Sequence, residues 1–96
     1  SQPFLVYYII MAIEKTHKVT LYNDDNHSFQ YIMSCLVRLC NHTPMQAEQC
    51  AIIADTTGKV DIKSGSFDDM YNIVSTFSEL NIETSIEQLE NESNLY

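Results

Sequence analysis

With 96 residues, 45% of them hydrophobic and 19% charged, the chain has room for one core, and a domain this small buries only about two-thirds of its unfolded surface, which favours a shallow pocket over a deep catalytic cleft. Its net charge of −8, five Lys and Arg against thirteen Asp and Glu, argues against nucleic acid and anionic membranes: Lys15, Lys18, Arg38, Lys59 and Lys63 are too scattered to line up phosphates, and a basic or cationic partner suits the acidity better. Three cysteines, Cys35, Cys40 and Cys50, are an odd set that reads as reduced core thiols of a cytoplasmic protein, not as a disulfide framework.

The apolar run Phe4 to Ile10 is too short to span a bilayer, and neither a basic segment before it nor a cleavage site after it marks a signal peptide. Met11 as a natural start would make residues 1–10 an upstream extension. The alternatives are an extra edge strand or a short packed segment.

From Lys18 the pattern is regular. Val19 and Leu21 alternate with Lys18, Thr20 and Tyr22, which predicts a half-buried strand ended by Asn23-Asp24-Asp25-Asn26. Phe29, Ile32, Met33, Leu36, Val37 and Cys40 recur at helical spacing, with Asn26 or Ser28 as the cap and an end near Asn41. Thr43-Pro44-Met45-Gln46 is a capping box with proline at the first helical position, so a second helix starts there; Ala47, Cys50, Ala51 and Ala54 form its narrow inner face and Gly58 ends it. Val60 and Ile62 alternate with Asp61 and Lys63 as a second strand, and Gly65 turns the chain. Ser66-Phe67-Asp68-Asp69 caps a third helix whose buried stripe is Met70, Ile73, Val74 and Phe77. Ile82, Thr84 and Ile86 alternate as a last strand, and the tail from Gln88 is polar. The expected fold is α+β, a two-layer sandwich in the order β-α-α-β-α-β with a three-stranded antiparallel sheet and three helices on one face. The expected division is an apolar extension over 1–17, the domain over 18–87 and a tail over 88–96.

Candidate chemistry is sparse. His27, Cys35, Cys40, His42 and Cys50 lack the spacing of a zinc knuckle, so no metal is expected. No nucleophile, base and orienting group converge, so no catalytic residue is assigned, no cofactor is expected, and a binding module is favoured over an enzyme. The Asn23-Asp24-Asp25-Asn26 cluster has two readings: a solvated turn that caps the first helix, or part of a site. Asp55, closing the second helix, gives the second reading its interest. Two carboxylates and an amide carbonyl suit a primary ammonium, which offers three donors and no acceptor.

The strand ending in Asn23-Asp24-Asp25, Ser28-Phe29 opening a helix, Gln46-Ala47-Glu48-Gln49-Cys50, the Gly58-Lys59 turn and Lys63-Ser64-Gly65-Ser66-Phe67-Asp68 together resemble the ClpS family over Lys18 to Glu87, most closely its short Bacteroidetes-type members. The resemblance implies a sandwich like that of the ribosomal stalk protein's C-terminal domain. It also implies a non-catalytic adaptor that binds bulky hydrophobic N-terminal residues (N-degrons) and hands those proteins to the N-terminal domain of a Clp AAA+ unfoldase. On that basis Asn23 and Asp24 hold the substrate's α-amine and first peptide unit, and His27 touches the ligand at the rim. Phe29, Ile32, Ala51, Ala54 and Ile82 wall the side-chain pocket.

Three departures bear on this. Asp55 stands where the family has a His that accepts from the α-amine. Ala51 and Ala54 replace bulkier wall residues, which implies a wider pocket. In the third helix, Met70 and Ser75 stand where many relatives carry an acid and a lysine that touch the unfoldase, and the apolar segment before Met11 replaces a long polar arm that aids delivery. The alternative function is a ClpS-like interaction module that has lost N-degron binding.

Overall fold

The computed structural model describes residues 3–7, 9 and 15–89. Its core is a sheet in the order β2-β1-β3, built from β1 (His17–Tyr22), β2 (Lys59–Gly65) and β3 (Thr84–Gln88), with both pairings antiparallel. The helices α1 (Phe29–Cys40), α2 (Pro44–Thr57) and α3 (Phe67–Glu79) supply the second layer, so the chain has the expected α+β order.

Alternation in β1 sets the layers. Val19 and Leu21 are buried in the core with Ile32, Leu36, Ile62, Phe77 and Ile82. Thr20 is buried too, and this polar side chain is satisfied because its hydroxyl donates to Asp61 Oδ1 at 2.9 Å. Lys18 adds an ion pair to Asp61 Oδ2 at 3.1 Å on the same side of the sheet.

Strand β2 departs from simple alternation. Its pairing with β1 steps from Val19–Lys63 to Thr20–Asp61, which leaves Ile62 as an extra, bulged residue. The bulge frees the Ile62 carbonyl from the ladder, and His42 Nε2 donates to it at 2.6 Å. The loop between α1 and α2 is thereby fastened to the sheet.

The helix ends follow their capping residues. Ser28, not Asn26, caps α1, its Oγ accepting from Tyr31 N at 3.0 Å, and Asn41 ends it at φ 59°. In α2, Thr43 and Gln46 close both bonds of the capping box, and Gly58 ends the helix at φ 99°. Ser66 caps α3 above Asp68 and Asp69, and Leu80 ends it.

Four expectations need correction. Gly65 lies within β2 opposite His17 and is not a turn residue; a Cβ there would meet only the flexible end of the Met70 side chain, Cε at 3.0 Å. Ile82 precedes β3. Asn81, at φ 61°, reverses the chain after α3, and Ile82 N donates to the Phe77 carbonyl at 3.0 Å, so the strand starts at Thr84. Gln88, expected in the tail, pairs with His17, and Leu89 N donates to Thr16 O at 2.9 Å. The expected tail beyond Leu89 lies outside the described residues. Finally, residues 3–7 are helical, with Phe4, Leu5, Val6, Tyr7 and Ile9 exposed, so of the alternatives for this segment the edge strand is excluded.

Candidate functional site

A cavity of about 200 Å³ opens where β1 ends, between the β1–α1 loop, the first turn of α1 and the C-terminal half of α2. Its walls are Leu21, Tyr22, Asn23, Asp24, His27, Phe29, Ile32, Ala51, Ala54 and Asp55. Two local causes make this hollow. The inner face of α2 buries only Ala47, Ala51 and Ala54, whose short side chains leave space that larger ones would fill. The end of α2 is tied to the end of β1 by Asn23 N donating to the Gly58 carbonyl at 2.9 Å, which brings Asp55 to the same hollow as the loop.

Eight of the nine residues singled out from the sequence meet here: Asn23, Asp24, His27, Phe29, Ile32, Ala51, Ala54 and Asp55. Ile82 does not. It is 2% exposed, packed in the core beneath the α3–β3 connection, and is absent from the cavity wall. Leu21 and Tyr22 were missed because alternation places one in the core and the other outside; both reach the hollow because it opens at the strand's last turnout, a position that adjacency to Asn23 would have indicated. Tyr22 is held by its hydroxyl, 2.9 Å from Ser85 Oγ across the sheet.

The polar rim divides into engaged and open groups. Asp24 is engaged: Oδ1 accepts from Asn26 N at 2.7 Å and His27 N at 2.8 Å, and Oδ2 accepts from His27 Nδ1 at 2.8 Å. Burial alone would push its carboxyl up. The hydrogen bonds from the His27 ring and from the Asn26 and His27 backbone, with the attraction of a charged His27, outweigh that and hold it below the usual carboxylate range. A carboxylate has about four acceptor directions, so one remains on Oδ2. The His27 ring also stacks on Tyr31, centroids 5.2 Å apart at 15°. Asn23 and Asp55 are exposed, and neither side chain has a hydrogen-bond partner among the described residues.

Below the rim the walls are apolar. Ile32, Ala51 and Ala54 are buried at the floor, and Phe29, 37% exposed as the first residue of α1, stands at the lip. The arrangement offers acceptors to a cation at the mouth and an apolar hollow to a hydrophobic group beneath it.

The positions matched to unfoldase contacts fare differently. Met70 is 2% exposed in the core and cannot touch a partner, while Ser75 is half-buried. Asp68 and Asp69, in the same turn as Met70, are exposed. The three cysteines are free, with Cys35 and Cys40 buried and Cys50 half-buried. Among the described residues no group of three or more His, Cys, Asp or Glu is placed to hold a metal ion, and no helix is long and apolar enough to cross a membrane.

Comparison with known proteins bears on the family and the fold. A family model described as ATP-dependent Clp protease adaptor protein ClpS matches residues 12–94. No curated protein sequence matches the chain. Among solved structures, that of Agrobacterium tumefaciens ClpS2 bound to L-phenylalaninamide is similar at a TM-score of 0.67 and 16% identity, covering 79% of this chain and 99% of that one. The structural likeness carries the fold, and the family match spans nearly all of it. The chain belongs to the ClpS family of ATP-dependent Clp protease adaptor proteins.

Proposed function

We infer that this adaptor captures proteins by a free N-terminus bearing a bulky hydrophobic residue and delivers them to the N-terminal domain of a Clp AAA+ unfoldase in the cytoplasm, with no chemistry of its own. The carrying observation is the single cavity that joins the acceptors Asn23, Asp24 and Asp55 to the apolar walls Phe29, Ile32, Ala51 and Ala54. A protein N-terminus is the ligand that presents an ammonium and a hydrophobic side chain on one carbon. The ligand named for the Agrobacterium protein, L-phenylalaninamide, has that form: a free amine, a benzyl group and an amide where a second residue would begin.

Calorimetry with peptides starting in Phe, Leu and Tyr, each paired with its N-acetylated form, tests this. The free peptides bind and the acetylated ones do not. No heat and no competition from any free peptide overturns the reading.

Two observations favour a second reading, a ClpS-like interaction module that has lost N-degron binding. Three of Asp24's four acceptor directions are already taken by its own loop, and Asp55 stands where the family pattern has a histidine. Asp55→His separates the two. Peptide binding that appears only in this variant establishes the second reading.

A further inference from the structure

An ammonium in the cavity needs three acceptors, and Asp24 has little capacity left to give. The question is which other group completes the set with Asn23 and Asp55. His27 lines the same cavity and is already oriented. Its Nδ1 lies 2.8 Å from Asp24 Oδ2, and an ionised carboxylate only accepts, so Nδ1 must carry the proton. In the neutral ring Nε2 is then a lone-pair acceptor, and it has no partner among the described residues. The stack on Tyr31 fixes the ring plane, and the two backbone bonds to Asp24 Oδ1 fix the loop that carries it.

We propose that His27 Nε2 is an acceptor for the substrate's α-ammonium and that Asp24 is a positioning residue, which selects the Nδ1–H tautomer of His27 and orients its ring. This rests on the N-terminus reading and deepens it. It moves an imidazole acceptor from the end of α2, where this chain has Asp55, to the β1–α1 loop.

The test combines ring-nitrogen NMR with binding, using the whole chain at mildly alkaline pH and L-phenylalaninamide as the probe. The free protein shows His27 protonated at Nδ1, and adding the probe moves the Nε2 resonance. Asp24→Asn keeps an oxygen for the Asn26 and His27 amides but turns an NH₂ toward Nδ1, so the ring switches to the Nε2–H tautomer. A donor then faces the ammonium, and affinity falls about ten- to hundredfold. His27→Phe preserves the stack on Tyr31, removes both nitrogens and falls by a similar factor, with its unfolding midpoint checking that the fold is kept. An Nε2–H tautomer in the wild-type chain overturns the assignment, as does probe binding that leaves Nε2 unmoved or full affinity in His27→Phe. A wild-type chain that binds no probe at all overturns the N-terminus reading itself, and this proposal with it.

Discussion

The backbone amide of Asn23 donates to the carbonyl of Gly58 at 2.9 Å, joining the end of β1 to the end of α2 across 35 positions of sequence. Each residue depends on the other's local conformation. Gly58 holds φ 99°, and its own amide reaches Ala54 O at 2.9 Å. Only with the chain bent this way does the Gly58 carbonyl face β1.

Gly58→Ala therefore tests backbone conformation alone, because a Cβ there meets nothing within 4 Å. An L side chain in the left-handed region costs about 1 to 2 kcal/mol, and asparagine tolerates it better. Urea unfolding should rank the wild type above Gly58→Asn and that above Gly58→Ala, with ligand affinity falling in the same order as Asn23 and Asp55 lose their common anchor. Equal midpoints for all three would mean that the α2 terminus does not need the bend.

Asp55 is exposed and has no hydrogen-bond partner among the described residues, so it contributes little to folding. Asp55→Asn should leave the unfolding free energy within about 0.5 kcal/mol of wild type. Affinity for a Phe-starting peptide should drop by about 1.5 to 3 kcal/mol, the worth of a hydrogen bond to a charged group. Calorimetry and urea melts on the same preparation separate the two effects. A loss of stability without a loss of affinity would assign Asp55 to the fold instead of the ligand.

Asp61 lies on the opposite side of the sheet and gives the pH test. Burial would raise its carboxyl, but hydrogen bonds from Lys18 and Thr20, with the charges of Lys18 and Lys59, hold it below the usual value. A carboxyl lowered in the folded state stabilises above its unfolded value, and that contribution is lost as pH falls through the folded value. Asp61→Asn, which still accepts from Thr20, should lower stability at neutral pH by up to about 1 kcal/mol, as expected of an exposed ion pair. The wild-type and variant curves should converge as pH drops below about 4. A constant gap at all pH values would make the effect one of packing, and ligand affinity should not change.

The elements of this fold were legible where one residue type has one local use. Thr43-Pro44-Met45-Gln46 and Ser66 with Asp68 and Asp69 mark helix starts, and Gly58 marks an end. Where two uses share a sequence, reading failed or stayed open. Asn26 and Ser28 are both good caps, and only geometry selects Ser28. Ile62 and Lys63 alternate on paper whether or not the ladder slips, so the bulge left no trace. Ile82 continues the period of Thr84 and Ile86, yet the left-handed Asn81 puts it in the core before the strand begins. Met70, read both as part of the inner stripe of α3 and as a departure from the partner-contacting residues of relatives, is buried, as the stripe requires. At the site, eight of the residues singled out from the sequence line the cavity, but Ile82 does not, Leu21 and Tyr22 were passed over, and the capture of Asp24 by its own loop could not be read. An Asp two residues before an amide is written the same way whether its carboxylate turns inward or faces a ligand.

The size of the hollow gives the last prediction. Ala51 and Ala54 are 4% and 5% exposed, and their methyl groups form the part of the wall supplied by α2. Ala54→Val adds two carbons to a space of about 200 Å³. A change of about one methylene in such a pocket is worth about 1 to 3 kcal/mol, and the loss should fall on the ligand that fills the hollow most. Peptides starting in Phe and Tyr should therefore weaken more than one starting in Leu, which compresses or reverses their order in a competition assay. Overpacking in the ligand-free chain would appear as a lowered unfolding midpoint and a loss common to all peptides. An equal loss for all three with an unchanged midpoint would place the N-terminal side chain away from Ala54.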